Sequence, residues 1–294
     1  MRGLLALGIG LLHFGFNRFA AGAGWAGIRL ELGVDVFFLL SGYVLAHSTR
    51  AGISPGRFAV RRFLRLAPVF YGTTLVAILA TGRLHPLEPL LAVPLVGALP
   101  INAPAWSITW ELYLPVLATL IPWRLPDRLI VPLLIACLVG LGLADVGVVS
   151  GREPHFLRAL FGLAGGYLLY RSGLSLRTPM IPLCLGLAAI MALSAYLPAI
   201  AVVLPPLACA AILAGRHSRT VLSSRPAQFF GAISYSFYMA HMPVLMLLGQ
   251  LIDYHRPSFM LIGMAASIAV AWLLTRYVER PFMALRSAPA QTAP

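Results

Sequence analysis

The chain has 294 residues, of which 60% are hydrophobic and only 11% charged, against about 25% charged in an ordinary soluble domain. That is too little polar surface to coat a globule of this size, so the sequence reads as an all-α polytopic membrane protein: one transmembrane helical bundle. The net charge of +13 comes from 22 basic and 9 acidic residues. Every basic residue is arginine, and the absence of lysine excludes a pyridoxal Schiff base or a Walker-type phosphate loop.

Apolar stretches of bilayer length, about 17 to 25 residues each, follow one another at 32–48, 66–82, 105–122, 129–144, 156–170, 179–197, 199–215, 226–248 and 258–275, and a shorter one opens the chain at 3–16. Ten spans place both ends on one side. With a cytoplasmic N-terminus, sixteen arginines fall on the inner side and six on the outer, a positive-inside bias that puts both termini in the cytoplasm. The basic charge therefore reads as cytoplasmic loops and not as a nucleic-acid surface. The transmembrane domain is expected over 1–287, with a disordered tail at 288–294. Arg2, the apolar core after it and the small residues Ala21-Gly22-Ala23 also fit a signal peptide. His13 interrupts that core, so the first helix is expected to be retained, and the native start to lie upstream of Met1.

Cys137, Cys184 and Cys209 are odd in number, share no short motif and lie in apolar segments. They give neither a disulfide framework nor a metal site.

Ionisable side chains inside spans are costly and mark functional sites. Here they are His13, Asp35, Glu111 and, near a helix centre, His241. Eleven residues separate Arg2 from His13, about 16 Å of helix, which sets His13 near the bilayer middle. Asp35 and Glu111 both enter their helices from outside, so all three are expected at similar depth, around one polar cavity. Plainer readings stand beside this one: a packing histidine, an interhelical hydrogen bond from Asp35, and an aromatic belt of Trp106, Trp110 and Tyr113. The belt explains the aromatics but not the carboxylate of Glu111 among them.

The run from Arg57 to Tyr71 carries Arg57, Arg61, Arg62 and Arg65 next to a span. Arginine grips phosphate bidentately, so the run suits an anionic ligand; a lipid-headgroup anchor is the plainer alternative. Ser41-Gly42, inside the second helix, permits close helix approach or a local opening toward a ligand.

In this order the segments resemble the acyltransferase-3 family of integral membrane acyltransferases. The matching pieces are Arg2-Gly3 with His13 (the family's Arg-x10-His), Phe37-Phe38-Leu-Leu-Ser41-Gly42-Tyr43, Arg62-x-x-Arg65-Leu-x-Pro68-x-x-Tyr71 and Trp106-Ser107-x-x-x-Glu111. Ser234-Tyr235-Ser236-Phe237-Tyr238 with His241-Met-Pro243, and Glu279-Arg280-Pro281-Phe282, complete the set. The chain departs from the family pattern in the few residues before Arg2 and in lacking the soluble esterase-like domain of some relatives.

The resemblance implies a multi-pass protein of the bacterial inner membrane that moves an acyl group, most plausibly acetyl, from acyl-CoA to a hydroxyl of a glycan, glycolipid or related envelope or secreted acceptor. Acyl-CoA is then a donor substrate, with no permanently bound cofactor and no metal. His13 is the expected general base, with an acyl-histidine intermediate the less favoured variant. Glu111 or Asp35 is expected to orient its imidazole. Arg62 and Arg65 are the first choices for the CoA phosphates, and Arg2, Ser41, Trp106, Ser107 and Tyr71 for the wall of the substrate channel. The alternative of another class is a proton-coupled transporter or lipid flippase using His13, Asp35 and Glu111 as a relay. The internal repeat with paired broken helices usual for transporters is not seen between the halves.

Overall fold

A computed structural model describes residues 1–22, 27–49, 54–120, 125–148, 154–215 and 223–285. The tail at 288–294 and six of the arginines (positions 50, 124, 152, 216, 219 and 286) lie outside the described residues.

The helices are α1 (Arg2–His13), α2 (Phe16–Gly22), α3 (Gly33–Thr49), α4 (Pro55–Thr81), α5 (Ala105–Leu120), α6 (Asp127–Asp145), α7 (Pro154–Arg171), α8 (Met180–Leu193), α9 (Leu204–Gly215, led by a 3-10 turn at Pro198–Val203), α10 (Arg225–Leu248), α11 (Pro257–Leu274) and the short α12 (Arg280–Ala284); one of them falls in each of the ten stretches singled out above, with α2 and α12 in addition. No strand occurs among the described residues. Among the described residues, six helical segments are long and apolar enough to cross a membrane, and α1 with α2 makes a seventh if that pair, bent by 62°, counts as one. The bend falls at Gly15, whose φ of +97° an L side chain adopts only with strain. Local sequence sets several helix ends. Proline stands in the first turn of α4, α10 and α11, where its missing N–H is harmless, and Gly82 closes α4 in the left-handed conformation.

Close packing fixes the relative direction of the helices. Gly3 lies against Phe230, Gly10 against the Phe237 ring and His13 against His241, so α1 and α10 run parallel. Asp35 bonds Arg158, Gly162 abuts Phe38, and Tyr43 and His47 both meet Tyr170, so α3 and α7 are parallel too. Between those two, Gly42 faces the Leu163 carbonyl and Gly166 the Leu39 carbonyl with no room for a Cβ. Ser41-Gly42 thus serves close approach, the small-residue packing that holds helices together where no hydrophobic effect acts between them. Tyr235 donates to the Leu66 carbonyl and Gln250 to that of Ala80, which makes α4 parallel to α10. Arg62 with Glu111 and Thr73 with Asn102 make α4 and α5 antiparallel.

Candidate active site

The expected cavity of three ionisable groups is instead three separate clusters. Asp35 is fully buried, and Arg158 grips both its oxygens, at 2.9 Å from Nε and 2.5 Å from Nη2. Asp145 stands 3.8 Å from the same guanidinium. Arg29 donates to the Asp145 carbonyl at 3.2 Å and pairs with Glu31 at 2.9 Å. Arg158 and His155 both lie against Trp106, so this indole belongs to the Asp35 cluster. Arg158, one of the six arginines that sequence position alone assigns to outer loops, is an ion-pair partner within the bundle.

Glu111 is also buried, but it lies away from Asp35. It accepts from Ser41 at 2.6 Å, has Arg62 Nη2 at 3.8 Å, and its backbone carbonyl accepts from Arg62 Nε. The expectation that Glu111 shares the outer half with Asp35 is corrected by that partner: α5 runs antiparallel to α4, which brings the sixth residue after Ala105 level with the arginine turn of α4. Arg2, Glu111, Ser107, Ser234, Tyr235 and Tyr238 line a narrow cavity of about 30 Å³ together with Val34, Phe37, Phe38 and Ile108. Arg2 stands in the electrostatic field of Arg65, Glu111 and Glu279, and Ser236 donates to Glu279 at 2.9 Å. Three guanidiniums therefore face two carboxylates. Glu279 belongs in sequence to the closing motif, and only the fold brings it to this cluster.

The third cluster contains His13. Its Nδ1 lies 2.8 Å from Nε2 of His241, and neither Asp35 nor Glu111 bonds to it. His241 has no exposed surface, whereas His13 is half-buried. The two rings are within 8° of parallel with centroids 5.0 Å apart. That separation is what one nitrogen-to-nitrogen bond plus a ring radius on each side amounts to, so the rings meet edge to edge. A polar face of α10 joins this pair to the cavity: Ser234, Tyr238 and His241 recur at helical spacing, Ser107 and Tyr238 share a hydrogen bond of 3.1 Å, and the Tyr238 and His241 rings are 5.9 Å apart.

Asn102 steadies this turn. Pro243 lacks the N–H that would bond the Met239 carbonyl four residues back, and the fully buried Asn102 supplies a donor to that carbonyl at 2.9 Å. Tyr71, by contrast, sits far from the arginines: its hydroxyl donates to the Pro89 carbonyl at 2.6 Å, as that of Tyr113 does to Leu90. The two phenols hold the segment after α4.

A bundle of apolar helices with an arginine-lined cavity about one helical turn from a pair of imidazoles is an arrangement that suits a membrane enzyme. The family comparison agrees: the model described as an acyltransferase domain matches residues 1–276, and the chain belongs to the acyltransferase-3 family. No curated protein and no solved structure matches it.

Proposed function

We propose that this membrane acyltransferase moves an acyl group, acetyl in the first instance, from acyl-CoA to a hydroxyl of a glycan, glycolipid or related acceptor at the bacterial inner membrane, with His13 as general base. The carrying observation is the run of polar groups from Arg62, Arg2 and Glu111 to Ser107 and Tyr238, whose phenol ring lies 5.9 Å from the ring of His241, the partner of His13. The donor's phosphates sit on Arg62 and Arg65, where three guanidiniums against two carboxylates leave a positive excess. The pantetheine arm then lies along this run. At about 30 Å³ the cavity is narrower than that arm, so its lining side chains shift on donor entry. At the far end His13 takes the proton of the acceptor hydroxyl as its oxygen attacks the thioester carbonyl. Collapse of the adduct breaks the C–S bond, and the same proton passes to the departing sulfur.

Ten crossings with both termini cytoplasmic accompany this reading, and helix direction supports the count. Parallel α3 and α7 need an odd number of crossings between them, so α5 must cross along with α4 and α6. Parallel α1 and α10 need an odd number as well, which requires α8 to cross if α9 does. Reporter fusions after Gly82, Asp145 and Asp253 are then expected outside and those after Arg57, Arg124 and Arg219 inside.

The transporter alternative loses its relay, because Asp35 is held by Arg158 and Glu111 by Ser41 and Arg62. The direct test is thiol release from acetyl-CoA by the purified protein in proteoliposomes. Release that depends on an added glycan or glycolipid hydroxyl is expected; absence of release across such acceptors contradicts the reading.

A further inference from the structure

We infer that His241 is a positioning residue that fixes the tautomer of His13, leaving Nε2 of His13 as the one basic nitrogen of the site. The inference rests on the general-base role proposed above.

It follows from counting protons. Nδ1 of His241 lies 3.3 Å from the carbonyl oxygen of Phe237 one helical turn back. A carbonyl only accepts, so this nitrogen carries a hydrogen. In the neutral ring the other nitrogen, Nε2, then holds a lone pair, since a hydrogen bond at one imidazole nitrogen decides the state of the other. That lone pair faces Nδ1 of His13 at 2.8 Å. Two nitrogens at this distance hold one hydrogen between them, and it belongs to His13. His13 is thereby Nδ1–H, and its Nε2 is bare.

The edge-to-edge geometry, with rings within 8° of parallel, directs the shared hydrogen along the line between the rings, and both rings are held. Phe237 and Tyr238 lie against His241, the Asn102 bond to Met239 braces the backbone of the same turn, and Gly10 of α1 leaves the Phe237 ring space that a Cβ would take. A carboxylate does this work in a serine-protease triad, where it holds the base histidine in the required tautomer. Here a neutral imidazole does it, which adds no buried charge to the middle of the bilayer. The proton balance also closes. The hydrogen that His241 donates ends on a backbone carbonyl, so no relay leads away through it. The proton taken from the acceptor hydroxyl stays on His13 Nε2 until the thiolate leaves.

Two measurements on the full-length protein in membranes test this. With 15N-labelled histidine, the His13 signals, assigned by their loss in His13→Gln, are expected to show a protonated Nδ1 and a bare Nε2. The reverse pattern overturns the inference whatever any variant does. In kinetics, His241→Leu is expected to lower kcat at least about a hundredfold, within the range general-base catalysis supplies, with the donor KM changed less than about twofold. His241→Gln places an amide oxygen where Nε2 stood and is expected to recover about tenfold of that loss. Equal kcat for folded Leu and Gln variants overturns the inference. If instead His13→Gln itself turns over like the wild type, the general-base reading falls; His13→Gln inactive with His241→Leu fully active sinks the role of His241 alone.

Discussion

Two regions of the bundle bury charge, and they solve the problem differently. Around Asp35 three carboxylates, Glu31, Asp35 and Asp145, share two guanidiniums, Arg29 and Arg158, and the central pair is bonded through both carboxylate oxygens. Around Glu111 three guanidiniums, Arg2, Arg62 and Arg65, share two carboxylates, Glu111 and Glu279, and a cavity opens among them. The first cluster carries one carboxylate in excess, and both side-chain oxygens of the buried Asp145 lack a hydrogen-bond partner among the described residues, with Arg158 3.8 Å away. The second keeps a positive excess for an anion. What separates the two clusters is the sign of the excess and the cavity beside the second, and a positive excess suits the anionic donor proposed above.

The largest effect expected from breaking this contrast is at His13. His13→Gln keeps hydrogen-bonding capacity but not a basic nitrogen, so kcat for acyl transfer is expected to fall by about 10²–10⁴, with the thermal transition and donor binding unchanged. Asp35→Asn comes next and moves a different quantity. It leaves Arg158 buried beside a neutral amide, and removing one partner of a buried pair costs about 3–5 kcal/mol. Thermal unfolding in detergent should register that loss, while kcat per folded molecule stays near wild type.

Arg62→Ala and Arg65→Ala lie between. Each removes a charged donor, and hydrogen bonds to charged groups contribute about 1.5–3 kcal/mol, so the donor KM is expected to rise about ten- to a hundredfold with a smaller change in kcat. Arg→Lys should recover only part, because the planar fork is gone. Unchanged donor affinity in a folded double variant would return these arginines to a membrane-anchoring role. The smallest effect is expected for Asn102→Leu, which leaves the Met239 carbonyl unsatisfied at a cost of about 1–3 kcal/mol, readable as a lowered unfolding temperature.

Much of this was legible in the sequence. Apolar run length located a helix at all ten positions, and the eleven residues from Arg2 to His13 set the histidine about three turns beyond Arg2. What spacing along one chain does not carry is the identity of the neighbour. Glu111 was assigned to the outer half by counting from its own helix entrance, whereas its partner is set by the antiparallel packing of α5 on α4. Arg158 stands two residues inside an apolar run, and position alone made it a loop charge until α3 supplied Asp35. His241 was visible as an ionisable group in a span, but its partner lies 228 residues away, and only the parallel packing of α1 on α10 joins them. Tyr71 follows the arginine motif closely in sequence, yet nine residues of helix carry it about 13 Å along the axis, to the segment that it holds.

Thiol release from acetyl-CoA in proteoliposomes, measured for the wild type and for His13→Gln with a hydroxyl acceptor present, tests most directly whether the bare nitrogen of His13 serves as the base. The wild type is expected to release thiol in step with acceptor acylation, and the variant to bind donor equally well but release it at least about a hundredfold more slowly. Equal rates for the two proteins would contradict that role.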